Sequence, residues 1–335
     1  MTSSLANAVA LRWDGTRLEV LDQALLPGRE SWIALAGAHD TAEAIRRLAV
    51  RGAPLIGIAA AYGLAMEIAA GTLEAAEHGR LALREARPTA VNLARAVDRV
   101  WTAAQDGGAA AARAEAELIE AEEAAASGAI AVHGAGVLAG ARRILTHCNT
   151  GALATGGSGS ALAVVRELAA RGPVEVLASE TRPLLQGARL TVWELAREGI
   201  SVTLLVDAAA AGLMRSGEID AVIVGCDRVA ANGDVANKVG TYSHALAARA
   251  AGIPFVVAGP TSSIDPSLPD GDGIAIEERD ADEVRRPAGE RVTLAGVAGR
   301  NPAFDITPAE LVSAFVCETG VAAPPSAERI AALLS

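Results

Sequence analysis

Residues 221–260 read AVIVGCDRVAANGDVANKVGTYSHALAARAAGIPFVVAGP, and the order of signals in this stretch decides the fold class. Ala221-Val222-Ile223-Val224 is an apolar run with the length and β-branched content of a buried strand. It stops at Gly225, and Asp227 follows where the strand ends. A polar loop, Ala231-Asn232-Gly233-Asp234, leads through Asn237-Lys238 into a helix expected over 240–251. Gly252 suits the C′ position of that helix, and 253–257 is the next strand. In open parallel sheets ligands sit at the carboxyl ends of the strands. Asp227, Asn237 and Lys238 therefore fall where chemistry is usually done.

Upstream the same alternation continues. Strands are expected at 143–146, 174–178 and 202–206, with helices at 161–170, 186–198 and 208–216 between them. Short apolar strands alternating with helices predict a Rossmann-like parallel sheet. Earlier still, 9–13 and 17–21 flank Asp14-Gly15, a hairpin signal, and helices are expected at 41–50, 54–70, 88–105 and 109–127. The expected fold is α/β: a small N-terminal β-hairpin plus helical domain over 1–127, followed by a Rossmann-like catalytic domain over 128–335. Near the C-terminus, 311–317 reads as an apolar helix carrying Cys317.

The totals exclude several classes. Forty acidic residues against 29 basic ones give a net charge of -11 over 335 residues, which opposes nonspecific nucleic-acid binding. The cysteines, Cys148, Cys226 and Cys317, are three and widely spaced without a CxxC. That argues against a disulfide framework or a zinc site and for a reducing cytoplasm. MTSSLANAVALRWDG has no basic segment ahead of a long apolar core, so no signal peptide is read. The alanine-rich stretches are broken by Glu, Arg and Gly, and no run approaches a membrane span. Gly156-Gly157-Ser158-Gly159 is not a clean GxGxxG directly after its strand, which argues against nicotinamide binding.

Lys238 is the single lysine; the other 28 of the 29 basic residues are arginine. Where composition has turned interchangeable lysines into arginines, a retained lysine points to a need for a compact ammonium. Chance survival at a solvated helix start is the plainer alternative. Arg51-Gly52-Ala53-Pro54 interrupts the helical pattern. Gly52 permits close backbone approach, Pro54 suits a helix first turn, and an arginine before exposed helix-start amides makes an anion site. An ordinary helix–helix joint fits those four residues as well. Arg87-Pro88 repeats the theme.

Three strand ends carry polar residues: Cys148-Asn149; Ser179-Glu180-Thr181-Arg182 with Gln186; and Cys226-Asp227. Cys148 is a candidate base, nucleophile or acid, or a small core residue. Asp227 after a buried strand needs a partner, or burial raises its pKa and makes it a proton donor; a helix cap is the structural alternative. Cys226 faces the opposite side of the strand and reads as core. His147 and His244 are candidates by proximity only.

At these residues the chain resembles the methylthioribose-1-phosphate isomerases, within the group that also holds the regulatory subunits of the exchange factor for translation initiation factor two. The matching segments are RGAPLIGIAAAYG (51–63), ARPTAVNL (86–93), ILTHCNTGALATGG (144–157), SETRPLLQGARLTVWEL (179–195), GCDRVAANGDVANKVGTYSHALAA (225–248) and NPAFDITPAELVSAFVCETG (301–320). The pair of RGAP and RPTAVNL belongs to the isomerases. The resemblance implies an aldose–ketose isomerase of methionine salvage, turning 5-methylthioribose 1-phosphate into its ketose 1-phosphate without metal or nucleotide cofactor. It implies Cys148 and Asp227 as catalytic residues. Arg51, Gly52, Ala53, Arg87, Gln186, Asn237 and Lys238 would be the substrate contacts, in a cleft between the two halves. It also suggests a cytoplasmic homodimer formed through the Rossmann-type half. Isomerases of 5-deoxyribose 1-phosphate or ribose 1,5-bisphosphate, and a noncatalytic regulatory protein that binds a sugar phosphate, are the competing readings.

Overall fold

The computed structural model describes residues 9–87 and 90–335. Pro88, expected at a helix start, and the first eight residues lie outside them. The chain divides into two compact units: one takes residues up to 125 together with 151–159, the other takes 126–150 and 160–335.

The N-terminal unit opens with β1 (Leu11–Trp13), β2 (Leu18–Leu21) and β3 (Trp32–Leu35), an antiparallel sheet in that order. The Asp14-Gly15 hairpin is there, with Gly15 at φ 101; β3 was not expected. Helices α1 (Ala38–Arg46), α2 (Ala53–Ala70) and α3 (Leu73–Arg84) follow, then α4 (Val91–Val137), whose residues to 125 belong here. The two helices expected over 88–127 are the arms of α4, broken at Gly108 with φ 69. The short helix α5 (Ala152–Thr155) completes the unit.

α2 corrects one expectation. Its 18 residues reach a mean hydropathy of 1.6, enough for a membrane span by length and composition. Two-thirds of it is buried. Leu55, Ile56, Ile58, Tyr62, Leu64 and Ile68 all face protein, and a helix apolar on every side is what the centre of a helical layer requires.

The second unit runs β4 (Arg143–Thr146), α6 (Ala161–Arg171), β5 (Glu175–Ser179), α7 (Val192–Arg197), β6 (Ser201–Leu205), α8 (Ala210–Arg215) and β7 (Ala221–Val224). It continues with β8 (Arg228–Ala230), β9 (Val235–Lys238), α9 (Thr241–Ala251), β10 (Phe255–Ala258), β11 (Ile264–Asp265), α10 (Asp282–Arg285), β12 (Phe304–Thr307), β13 (Ala314–Cys317), β14 (Gly320–Ala322) and α11 (Ala327–Ala332). Seven strands form one sheet in the order β14-β13-β10-β7-β4-β5-β6, parallel except for β14.

Both faces of this sheet are covered, which explains why its strands read as continuous apolar runs. Leu145, Val222, Val224, Phe255 and Phe315 pack with Met214 and Ala248 on one face. Ile144, Val176, Ile223, Val256 and Val316 pack with Leu162, Val165 and Leu168 on the other.

The expected helix over 311–317 is instead a one-turn 3-10 segment (Ala309–Leu311) followed by strand β13. Ala-Phe-Val-Cys is short, apolar and completely buried between β10 and β14, and at that length helix and strand give the same apolar signal. A second difference is the hairpin β8–β9, which belongs to a four-stranded sheet of order β11-β8-β9-β12. Asn237-Lys238 therefore ends a strand rather than entering a helix. α9 begins at Thr241, and Gly252 closes it at φ 70.

Candidate active site

The order of the parallel strands creates the site. From β4 the chain steps outward through β5 and β6, then returns to the other flank of β4 with β7. β4 and β7 are thus the topological switch point, where connections leave in opposite directions and a crevice opens past the strand ends. Cys148 lies two residues beyond β4 and Asp227 three beyond β7, on neighbouring strands paired Thr146 to Ile223. Gln186 follows the adjacent strand β5.

Cys148 is buried and has φ 64. A left-handed backbone costs a non-glycine residue about 1–2 kcal/mol, so the surroundings must impose it. Its N–H donates to Thr181 Oγ1 at 2.8 Å and its carbonyl accepts from Thr191 Oγ1 at 2.6 Å. The loop after β5 is itself constrained: Thr181 has φ 65 and Leu185 φ 57. The N–H groups of Thr181 and Arg182 donate to the two carboxylate oxygens of Asp207, each at 2.8 Å. Gly187 has no room for a side chain, since a Cβ there would lie 1.8 Å from the Ser179 carbonyl oxygen. The turn Gly187–Thr191 is a π-helix, a form that recurs at functional sites. Gln186 is buried on this loop, and its Oε1 has no hydrogen-bond partner among the described residues.

Asp227 is held through its backbone, its N–H donating to the Ala236 carbonyl at 2.9 Å. That bond sets the β7 end beside β9, where Asn237 and Lys238 sit. The Asp227 side chain is exposed, so burial is not what would keep a proton on it, contrary to expectation. Asn237 is buried and donates to Thr241 Oγ1 at 3.0 Å. Lys238 Nζ donates to the Ala303 carbonyl at 2.7 Å and lies 4.8 Å from the centre of the Phe304 ring.

His147 ties these strand ends together. Its Nε2 donates to the Val239 carbonyl at 2.8 Å, and its Nδ1, 2.6 Å from Ser179 Oγ, accepts. His244 lies against it, Nε2 to Nδ1 at 3.3 Å. Burial pushes His147 down to about 4, and burial followed by the neighbouring His147 pushes His244 down to about 3. Both are neutral struts at neutral pH. Cys226 hydrogen-bonds with Ser263 Oγ at 3.3 Å, and burial pushes its thiol up to about 12, which excludes it as a thiolate nucleophile.

In the N-terminal unit, Arg51, Gly52 and Ala53 open α2. Gly52 has φ 98 and brings no side-chain cap, which leaves first-turn amides available. Arg51 Nε donates to Gln23 Oε1 at 3.2 Å, and Gln23 Nε2 to the Leu153 carbonyl at 2.7 Å. A Cβ on Gly57 would lie 3.1 Å from the Asn92 carbonyl oxygen. The starts of α2 and α4 therefore adjoin, and Arg87 stands just ahead of the second. Thr191 and Asp207 were not singled out from sequence, and Thr181 only as one member of its strand-end turn. Thr181 lies in a polar strand-end turn, but nothing local distinguishes Thr191 inside an apparent helix.

The model of the initiation factor 2 subunit family matches residues 49–324. A methylthioribose-1-phosphate isomerase of Alcanivorax borkumensis is 48% identical over 333 residues, covering 97% of this chain and 96% of the relative. The crystal structure of 5-methylthioribose 1-phosphate isomerase from Pyrococcus horikoshii OT3 superposes with a TM-score of 0.93 at 38% identity, over 98% of this chain and 97% of that one. The translation initiation factor eIF-2B, subunit delta, from A. fulgidus superposes with a TM-score of 0.87 at 36% identity, over 98% and 99%.

Proposed function

This chain belongs to the initiation factor 2 subunit family, and within it we propose an aldose–ketose isomerase of methionine salvage that converts 5-methylthioribose 1-phosphate to 5-methylthioribulose 1-phosphate. The observation that carries this reading is the end-to-end likeness to methylthioribose-1-phosphate isomerases at about half identity.

The chemistry follows from the substrate. A sugar phosphorylated on its anomeric oxygen has no free hemiacetal to open. The ring oxygen must be protonated as it leaves C1, and hydrogen must pass from C2 to C1 while the C2 hydroxyl becomes a carbonyl. Asp227 is the proton donor to the ring oxygen. Cys148 handles the hydrogen, either as a proton through an enediol or by stabilising a hydride-like shift. Arg51, Arg87, Lys238 and the Gly52-Ala53 amides take the phosphate; Gln186 and Asn237 take sugar hydroxyls. The unpartnered Gln186 Oε1 supports that role.

The protein acts as a homodimer through the sheet unit. This is supported by large apolar side chains left exposed on the edge strand β6 and just after it, Leu204 and Val206, and on α9, Tyr242 and Leu246, which an interface would cover. The three free thiols support a cytoplasmic location. The test is direct: incubate the purified protein with 5-methylthioribose 1-phosphate and follow the ketose by NMR, alongside a panel varying only the C5 group. Turnover of the methylthio sugar is expected. No turnover with any 5-substituted ribose 1-phosphate would favour a noncatalytic sugar-phosphate-binding role.

A further inference from the structure

We propose that Thr181 and Thr191 are positioning residues for the Cys148 thiol, their hydroxyls gripping its peptide N–H and carbonyl to hold the left-handed backbone the reaction uses. This rests on the reading of Cys148 as catalytic and goes beyond it by naming what aims the thiol.

The two bonds, 2.8 Å and 2.6 Å, hold the two peptide groups on either side of the Cys148 Cα. They fix φ from one side and ψ from the other, the two torsions that aim Cβ. Each hydroxyl is itself anchored. Thr181 Oγ1 donates to the Ser179 carbonyl at 3.1 Å, and its backbone hangs from Asp207. Thr191 Oγ1 accepts from Asn149 Nδ2 at 3.2 Å, and the same amide nitrogen donates to Glu194 Oε1 at 2.8 Å. Glu194 is fully buried and paired with Arg166 at 2.7 Å. Both threonines are fully buried, so water does not stand in for a missing hydroxyl. Removing either leaves a buried peptide group unpaired and frees Cys148 to relax toward ordinary φ, carrying its sulfur away. A displacement of about 1 Å at a reacting group costs on the order of a hundredfold in rate.

The experiment uses Thr181→Val and Thr191→Val, which keep the β-branched shape and delete the hydroxyl, with the corresponding serine variants and Cys148→Ser alongside. For folded protein, checked by melting temperature, kcat is expected to fall about a hundredfold with KM little changed. The pH profile of Cys148 alkylation by iodoacetamide, resolved by mass spectrometry, is expected to shift. The serine variants should recover most of the rate, because they restore the hydroxyl. Valine variants that fold with wild-type kcat and an unchanged alkylation profile overturn the proposal, and Thr181→Val alone suffices if Thr191→Val does not fold. Should Cys148→Ser retain turnover, the catalytic reading of the thiol falls, while the alkylation profiles still decide whether the threonines aim it.

Discussion

Replacing Gly52 by alanine tests how the start of α2 is built. Gly52 holds φ 98 and ψ 132, a region almost reserved for glycine, where a side chain costs about 1–3 kcal/mol. The new Cβ would lie 2.4 Å from the Ala154 carbonyl oxygen, 2.5 Å from its Cα and 2.7 Å from its Cβ. These are backbone-anchored atoms, so relief requires the 151–159 segment to move off α2, and such overpacking costs about 1–3 kcal/mol. The two costs share one residue and relax together, giving a loss of about 2–5 kcal/mol, or a fall of about 10 °C in melting temperature. Arg51 moves too, because Gln23 links its Nε to the Leu153 carbonyl. We therefore expect KM for the sugar phosphate to rise about tenfold or more. Thermal unfolding followed by circular dichroism, with steady-state kinetics, measures both. The matched control is Gly128→Ala, in an exposed part of α4 where a Cβ meets nothing within 4 Å; it should gain about 0.5–1 kcal/mol. If Gly52→Ala melts with the wild type and keeps its KM, the close approach to Ala154 does not hold and the reasoning fails.

Glu194→Ala takes one carboxylate from the half-buried Arg166, which keeps its 2.6 Å bond to Glu198, and removing one partner of a buried ion pair costs about 3–5 kcal/mol. A urea midpoint shift worth under about 1 kcal/mol would show that this network is not structural. His147 and His244 have folded values of about 4 and 3, below the ordinary value near 6.5. Above pH ~6.5 neither state holds these protons; below it the unfolded chain binds them first. Stability is then lost at about 1.4 kcal/mol per pH unit per histidine, down to pH ~4 and ~3 respectively. His147→Gln should flatten the fall in melting temperature between pH 6.5 and 4, and curves parallel to the wild type would contradict this. Leu204→Glu combined with Leu246→Glu should halve the mass seen by light scattering; an unchanged mass would move the dimer interface elsewhere.

The strands β4, β5, β6, β7 and β10 and the helices α2, α6 and α9 lie within a few residues of where the sequence places them, because each presents a continuous apolar or amphipathic run bounded by polar, glycine or proline residues. The misreadings fall where the apolar signal is absent or ambiguous. β8 (Arg228–Ala230) and β9 (Val235–Lys238) mix charged and apolar residues and present no apolar run, and β13 (Ala314–Cys317) ends a longer apolar segment, 311–317, whose length fits helix or strand. Asp227 shows a second limit: its place after a buried strand suggested a buried carboxyl, but β7 ends in a turn that leaves the side chain exposed.

Local chemistry along the chain determined the α/β class, the glycine at the start of α2 and the polar strand ends, since these depend on neighbours a few residues apart. Only the tertiary structure decided that β7 returns beside β4, setting Cys148 and Asp227 at one switch point, and that two distant threonines bind the Cys148 peptide groups. Strand order and a backbone torsion imposed by hydrogen bonds across 33 and 43 residues are settled by packing in three dimensions, which no window along the sequence contains.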